Sequence, residues 1–513
     1  MAEITRPYEM LKAKLSAGEY DIAVTSSSEG LKESEYSKSV PYTQDENLFY
    51  EYSGNGYYIV TGRKNVSSDL TISPEYDDGE NGQWPVREIG NSAFSGKDII
   101  SVKIPTCVKL IGESAFSGCT GLMTVEIVGL EEIPIYFYNN RNWTDITCSY
   151  EIDGEAIEQI MTVSGNGICR IAVPAVTTKL YFGGTNTLGK KERTTITSNF
   201  ALGRCFKCAE KTDENSYFYA EDYEYVSPET DNYVTIGNKA FHNCSSLPEI
   251  VIPNSVVEIA DNAFWNCKAL KSITFDDHSC LTRIGSGAFA NCTSLTSSLV
   301  FPFYLDSIGN QAFTICDIPY VKLNSRLKTI GPGAFSTCFK LQSVDIPEDS
   351  ILESIGDYAF ASCKKLKSFT IPATVGYFEP SVFNSLCESL EYVTVKDPYG
   401  WFYAYGMGSL QCAIPPEFFK DGYAFAALIT SNANASMDAS YNGGLSDPAI
   451  LRLPWTKIFQ MPAPEISISL DGVLTITDST GIADMFTIYA KTSGSDDSNY
   501  QAAAWIKDLR KGK

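Results

Sequence analysis

Three observations predict an α/β repeat solenoid dominated by β-structure, with a parallel sheet on its concave face, β-rich caps and a small C-terminal β-domain. The first is a word spelled six times between residues 235 and 372. It runs Ile236-Gly237-Asn-Lys-Ala240-Phe241-His-Asn-Cys244, then Ile259 to Cys267, Ile284 to Cys292, Ile308 to Cys316, Ile330 to Cys338 and Ile355 to Cys363. A worn seventh copy carries Val382-Phe383 and Cys387, and two copies precede the array at Ile89 to Gly96 and Ile111 to Cys119. The second is the spacing of those cysteines, a period of about 24 residues that belongs to solenoids. The third is the segment after each cysteine, such as Leu247-Pro-Glu-Ile250-Val-Ile252 or Leu366-Lys-Ser-Phe369-Thr-Ile371, whose β-branched and aromatic residues alternate as in a strand with one buried face.

Each element of the unit follows from its residues. Proline stops the strand at Pro253, Pro347 and Pro372, because it cannot donate to a continuing ladder. The chain then turns and enters Ile-Gly-x-x-Ala-Phe, where the glycine is expected to permit a tight bend and Ala-Phe to start a short helical turn. A single coil buries little. Stacked coils bring strands about 4.8 Å apart and set like residues over like. Phe241, Phe264, Phe289, Phe313, Phe335 and Phe360 should therefore form a core ladder, and the seven repeat-position cysteines should be buried free thiols acting as small hydrophobes.

The pattern Ile-Pro-x-x-Val-x-x-Ile-Gly-x-x-Ala-Phe-x-x-Cys-x-x-Leu resembles the BspA-like leucine-rich repeats of bacterial surface proteins, protist surface proteins and proteins of phages of gut bacteria. The resemblance covers residues 86–130 and 234–396. It implies a curved solenoid used for binding, most often adhesion, and it carries no catalytic residue over because its motif is structural throughout.

Composition narrows the function. With 44% hydrophobic and 20% charged residues, the 513-residue chain supports a large core rather than disorder. Its 62 acidic against 40 basic residues give a formal charge of −22, which disfavours nucleic acid and anionic membrane surfaces as partners. The dense basic run Lys507 to Lys513 reads as a frayed end. The first ten residues carry charges where an apolar signal core would lie, and no run reaches the ~18 apolar residues of a membrane span, so no signal peptide or membrane insertion is expected.

In chain order, residues 1–40 read as a helix over Pro7 to Ala17 followed by a Ser/Glu/Lys-rich linker, and 41–85 as an N-terminal β cap containing Tyr57 to Gly62 and Asp69 to Ile72. Repeats occupy 86–130. Residues 131–233 break the rhythm, either as degenerate coils with long loops, the favoured reading, or as a β-rich insertion. Within them the stretch from Cys205 to Tyr225 is expected to be an exposed tip. Repeats return over 234–396, residues 397–464 should cap the C-terminal edge, and 465–513 form a small sandwich-like domain. There, strands around Asp471-Gly472 and from Asp484 to Lys491 resemble the small immunoglobulin-like domains that end many phage-encoded repeat proteins.

Catalytic chemistry finds little support. Only two histidines exist, His242 and His278, and neither has triad partners in sequence. Cys205-x-x-Cys208 has zinc or redox spacing without two further ligands nearby, and Asp77-Asp78-Gly-Glu80-Asn81-Gly lacks the ligand order of a calcium loop. No metal and no cofactor are called for. What remains is surface: the residues flanking each strand's central apolar position should line the concave face, giving Glu249, Thr274, Tyr320, Lys322, Asp345, Thr370 and Tyr392 as candidate ligand contacts. The sequence thus points to a non-enzymatic binder of a protein or glycan, adhesin-like and extracellular or at a cell surface. The alternatives are a virion component within a larger assembly and, third, an enzyme with its site in 131–233.

Overall fold

The computed structural model describes residues 48–64, 68–152, 154–212, 217–224, 232–378, 380–384, 386–398, 401–405, 410–413, 419–423 and 425–426. It also describes the strand backbones Glu19–Ile22, Val40–Thr43, Trp455–Lys457, Glu465–Ile468, Leu474–Thr477, Met485–Ala490 and Gln501–Lys507. The expected helix over Pro7 to Ala17 and the linker after it lie outside these residues.

The chain is a β-solenoid with almost no helix; among the described residues helix is limited to the 3-10 turn Pro380–Val382 and single or paired residues at 232, 419, 422–423 and 425–426. Each coil contributes to two parallel ladders. The continuous one is built from the residues just before the repeat glycine, not from the strands singled out in the sequence. It runs from Tyr58–Arg63 through Gln83–Ile89, Leu110–Ile111, Val234–Ile236, Val256–Ile259, Arg283–Ile284, Ser307–Ile308, Thr329–Ile330 and Ser354–Ile355 to Tyr377–Phe378. The expected Ile-x-Ile strands also pair in parallel, but in separate pieces: Asp69–Thr71 with Ser101–Ile104 and Thr124–Ile127, Glu249–Ile252 with Ser272–Phe275, Leu299–Val300 with Tyr320–Lys322 and Ser343–Asp345, and Ser368–Ile371 with Tyr392–Val395. Two-residue strands are too short to show alternation, which is why the longer sheet was invisible in the sequence.

Between the ladders the core stacks as the repeat demanded. Successive phenylalanines from Phe94 through Phe116, Phe241, Phe264, Phe289, Phe313 and Phe335 to Phe360 lie 5.0–5.4 Å apart with rings within 13° of parallel. The worn copy keeps the register, with Phe383 at 6.1 Å from Phe360. Each repeat cysteine donates its thiol to the phenylalanine carbonyl of the preceding coil, as Cys292 does to Phe264 at 3.3 Å and Cys316 to Phe289 at 3.2 Å. These thiols are free and buried, and burial pushes them well up, to about 12 for Cys267 and Cys338, so they stay protonated and unreactive.

The Ala-Phe segment is a turn rather than a helical start. Backbone bonds such as Phe241 N to Ala263 O at 2.7 Å knit it to the next coil. Its bends come from left-handed residues before the alanine and before the cysteine, including Asn262, Asn266 and Asn291 with φ of 56°, 62° and 62°. The repeat glycine serves a different purpose from the expected bend. Gly237, Gly285, Gly309, Gly331 and Gly356 have no positive φ, but a Cβ on each would lie 2.4–2.7 Å from an atom of the preceding coil.

Two coils place a β-branched residue at the turn before the cysteine, Ile315 and, with φ 63°, Thr337. Asparagines 243, 266 and 291 form a side-chain ladder, Asn266 Nδ2 to Asn243 Oδ1 at 2.6 Å and Asn291 Nδ2 to Asn266 Oδ1 at 2.5 Å, but the next coil places Ile315 there with φ 60°. A β-branched residue in that region costs roughly 1–2 kcal/mol, whereas asparagine tolerates it. Ile315 is 44% exposed, so it gives up little burial. Ile315→Asn is expected to raise stability by about 1 kcal/mol, read as a higher denaturant midpoint.

Residues 131–233 do not continue the coil, which corrects the favoured reading. Leu110–Ile111 pairs directly with Val234–Ile236, Phe116 stacks on Phe241 at 5.2 Å, and Cys244 donates to Phe116 O, so the solenoid closes across the departure. The departing chain folds as an inserted module of two sheets. One holds Thr162–Gly165, Ile168–Pro174, Glu132–Tyr138, Cys205–Thr212 and Phe218–Asp222 in that order; the other holds Glu155–Ile160, Thr144–Ile152, Leu180–Thr185 and Lys191–Arg193. They share a core that includes Ile135, Phe137, Trp143, Cys148, Phe182 and Phe206. The segment from Cys205 is exposed only in part: Cys205, Phe206 and Cys208 are buried, whereas Tyr219, Glu221 and Glu224 are exposed, and Asp222 pairs with Arg326 at 2.5 Å.

The module docks on loops of several coils. Cys280 and Tyr304 enter its core, Tyr304 donates to Asn199 O at 2.8 Å, and the Arg204 guanidinium lies 3.8 Å above the Tyr304 ring. His278 is 3% exposed, stacked 4.1 Å from Phe200, with Nδ1 3.1 Å from Phe200 O and Nε2 2.5 Å from Thr177 O. Asn254 completes the junction by a reciprocal pair with the Leu130 backbone, 2.8 and 2.9 Å.

Both open ends of the continuous sheet are covered. At the N-terminal end Leu48–Tyr52 pairs antiparallel with Tyr58–Arg63, and Tyr58–Arg63 with Asp69–Thr71 already occupies both ladder positions of a coil. At the other end Trp455–Lys457 lies antiparallel on Tyr377–Phe378 and is followed in the sheet by Trp401–Tyr405 and Leu410–Ala413, with Trp401 buried against Phe378 and Phe419. Such caps cover the parallel edges of the outer coils, leaving Leu48–Tyr52 and Leu410–Ala413 as the outermost strands. Beyond them, Glu465–Ile468 pairs with Leu474–Thr477 around the expected Asp471-Gly472 turn, whose residues lie outside those described, and Met485–Ala490 pairs with Gln501–Lys507. That last strand lies partly in the end read as frayed.

Candidate functional site

The predicted contact residues sit on the broken ladder, where side-chain alternation turns them away from the core. In Glu249–Ile252 the order is exposed, buried, exposed, buried, so Ile250 and Ile252 enter the core while Glu249 and Val251 face out. Register then groups the outward residues. Glu249 lies beside Ser272 and Val251 beside Thr274; Tyr320 lies beside Ser343 and Lys322 beside Asp345; Ser368 lies beside Tyr392 and Thr370 beside Thr394. The seven candidates thus fall into three clusters, Glu249 with Thr274, Tyr320 with Lys322 and Asp345, and Thr370 with Tyr392.

Two of these clusters have features that sequence did not show. The Tyr320 hydroxyl donates to Asp345 Oδ2 at 3.1 Å, and partial burial together with that carboxylate raises its pKa above the usual phenol value. The bond fixes the ring across the strand pair. Tyr392, 38% exposed, meets Tyr423 of the C-terminal cap edge to face at 4.8 Å, and Tyr423 is 65% exposed. Gly422 permits this approach, since a Cβ there would sit 2.5 Å from Tyr392 Cε2. Tyr423 was missed because nothing in its own segment repeats.

The residues weighed for other chemistry have structural roles. Cys205 and Cys208 point to opposite sides of their strand, one beside Tyr136 and Ile168, the other into the module core. They cannot converge on one ion or form a disulfide. Asp78 is the centre of a turn: burial acts to raise its pKa, but the backbone N–H groups of Asn81 and Glu80 and the Asn81 amide outweigh it and hold the carboxyl at about 2. His242 stacks on Trp265 at 4.8 Å with Nδ1 3.4 Å from Ser117 Oγ, and burial and nearby Lys239 lower its pKa. Among the described residues no group of three or more His, Cys, Asp or Glu side chains could hold a metal ion.

A parallel solenoid with a Phe-Cys ladder, a glycine seam and outward-facing strand residues defines a leucine-rich repeat protein. The family description "BspA type Leucine rich repeat region" matches residues 85–160, 211–298 and 282–402 in six copies, and the chain belongs to that family. Among solved structures it is similar to the T. pallidum leucine-rich repeat protein, at 20% identity over 63% of this chain and 90% of that one, TM-score 0.32. It is also similar to the pneumococcal vaccine antigen PcpA, at 16% over 70% and 82%, TM-score 0.31. A third is a leucine rich cell surface protein from Faecalibacterium prausnitzii, at 18% over 69% and 94%, TM-score 0.23. These likenesses concern the fold alone. None of the curated proteins matches the chain.

Proposed function

We propose that this chain is a non-enzymatic recognition protein of the cell surface that binds a protein or glycan ligand along its outward strand row. The observation that carries the reading is the pair of tyrosine clusters, Tyr320–Asp345 and Tyr392–Tyr423, presented on a stack whose backbone is committed to inter-coil bonds. Tyrosine offers apolar area and a hydrogen-bonding tip at low entropic cost, and a rigid scaffold loses little freedom on binding. Surface placement is supported by membership of the BspA-type family, whose repeats resemble those of bacterial surface proteins.

The test is an array of glycans and host proteins probed with the intact chain and with the Tyr320→Ala, Tyr392→Ala double variant. At least a tenfold loss for the best ligand is expected, with the melting temperature of the variant close to that of the parent. Unchanged affinity would remove the strand row as the binding surface.

A further inference from the structure

The inserted module carries a second candidate surface on the side of its four-stranded sheet that faces away from its core. Alternation fixes which residues are there. Leu180 and Phe182 point into the core, so Tyr181 and Gly183 face outward; Arg193 lies opposite Gly183 and Lys191 opposite Thr185, which puts both cations on the same side. On the next strand Thr147 lies opposite Gly183 and Ser149 opposite Tyr181.

Arg193 is held in an unusual way. Its guanidinium lies 4.6 Å from the Tyr181 ring centre and 3.9 Å from that of Tyr217, so two aromatic rings hold it. Neither Arg193 nor Lys191 is paired with a carboxylate among the described residues, in a chain of formal charge −22. The adjacent carboxylate is occupied elsewhere: Glu192 accepts from Trp143 Nε1 at 2.7 Å and Asn186 Nδ2 at 2.8 Å. Glu158, further across the same face, accepts from Thr147 Oγ1 at 3.0 Å. Beside Arg193 the face is lowered, because Gly183 has no side chain between Arg193 and Thr147.

We propose that this face binds a carboxylate-bearing saccharide, with Arg193 as the carboxylate clamp, Lys191 as a supporting charge, and Tyr181 and Tyr217 as surfaces for the sugar ring. A guanidinium held by aromatic rings is pre-oriented, and its N–H edge matches a carboxylate bidentately. Aromatic rings pack the apolar side of a pyranose. An acidic peptide is the competing occupant. Lys191–Arg193 is the edge strand of its sheet, so a peptide would have to add there through its backbone, whereas the two rings beside Arg193 offer the flat apolar contact that suits a sugar, and the oligoglutamate arm below tells the two apart. The surface is separate from the tyrosine row of the solenoid, so either can fail alone.

The experiment titrates the full chain with an oligogalacturonate, with sialyllactose and with lactose, following binding by calorimetry at two salt concentrations. One or both acidic sugars should bind at least tenfold tighter than lactose, more weakly at higher salt. Arg193→Gln should lose at least tenfold, and Arg193→Lys should recover only part, since a lysine supplies charge without the fork. Tyr181→Ala should weaken binding with an unchanged salt dependence. Melting curves that match the parent exclude misfolding, and the exposed Lys191→Gln provides a second variant whose fold is not in question. Equal binding of acidic and neutral sugars, no binding of either, retention in Arg193→Gln, or equal binding of an oligoglutamate would each overturn the proposal.

Discussion

Phe289→Ala is expected to lower the stability of the solenoid by about 3–5 kcal/mol, seen as a large drop in denaturant midpoint by circular dichroism. Phe289 is fully buried and lies between Phe264 at 5.0 Å and Phe313 at 5.3 Å, with rings 1° and 8° from parallel. Each coil contacts chiefly its neighbours, so a cavity at mid-stack weakens two interfaces at once and cannot be closed by moving either half inward without breaking the ladders. Phe383→Ala should cost less. Phe383 lies near the end of the stack, is offset to 6.1 Å and is tilted by 22°. Equal losses at the two positions would show that the rings are not a cooperative ladder.

Gly309→Val is expected to destabilise by about 3 kcal/mol through overpacking. A Cβ at Gly309 would lie 2.6 Å from both Gly285 C and Ser286 N, which are backbone atoms and cannot rotate away. The coils would have to separate locally, stretching bonds such as Gly309 N to Ile284 O at 2.8 Å. One coil carries Ala260 at this seam and keeps its bond to Ile236 O at 2.8 Å, so a single methyl is accommodated there. Valine adds two more against the same wall. A midpoint equal to that of the parent would show that the seam is not sterically closed at this glycine.

The glycine also shows where sequence reading stops. Its recurrence after isoleucine was plain, but recurrence does not distinguish a torsional need from a steric one. The observed backbone angles exclude the first, and the hypothetical Cβ contacts establish the second. The candidate contacts show the same limit. Alternation was enough to turn Glu249, Tyr320, Lys322 and Tyr392 outward, because period two is a property of one strand. It could not add Tyr423 from the cap, the bond from Tyr320 to Asp345, or the pairing of Arg193 with Tyr181 and Tyr217, which depend on register between separate segments.

By itself the sequence determined the repeating unit, the phenylalanine ladder and the buried thiols. These follow from a short word copied every two dozen residues or so, in which each position meets its own kind in the next coil. Only the tertiary structure decided which segment forms the continuous sheet, that residues 131–233 leave the stack as a separate two-sheet module, and that His278, Tyr304 and Arg326 hold that module in place. The physical reason is the same throughout. Stacking interactions are nearest-neighbour and leave a period in the chain, whereas the module's pairing and docking join residues far apart that share no repeated pattern.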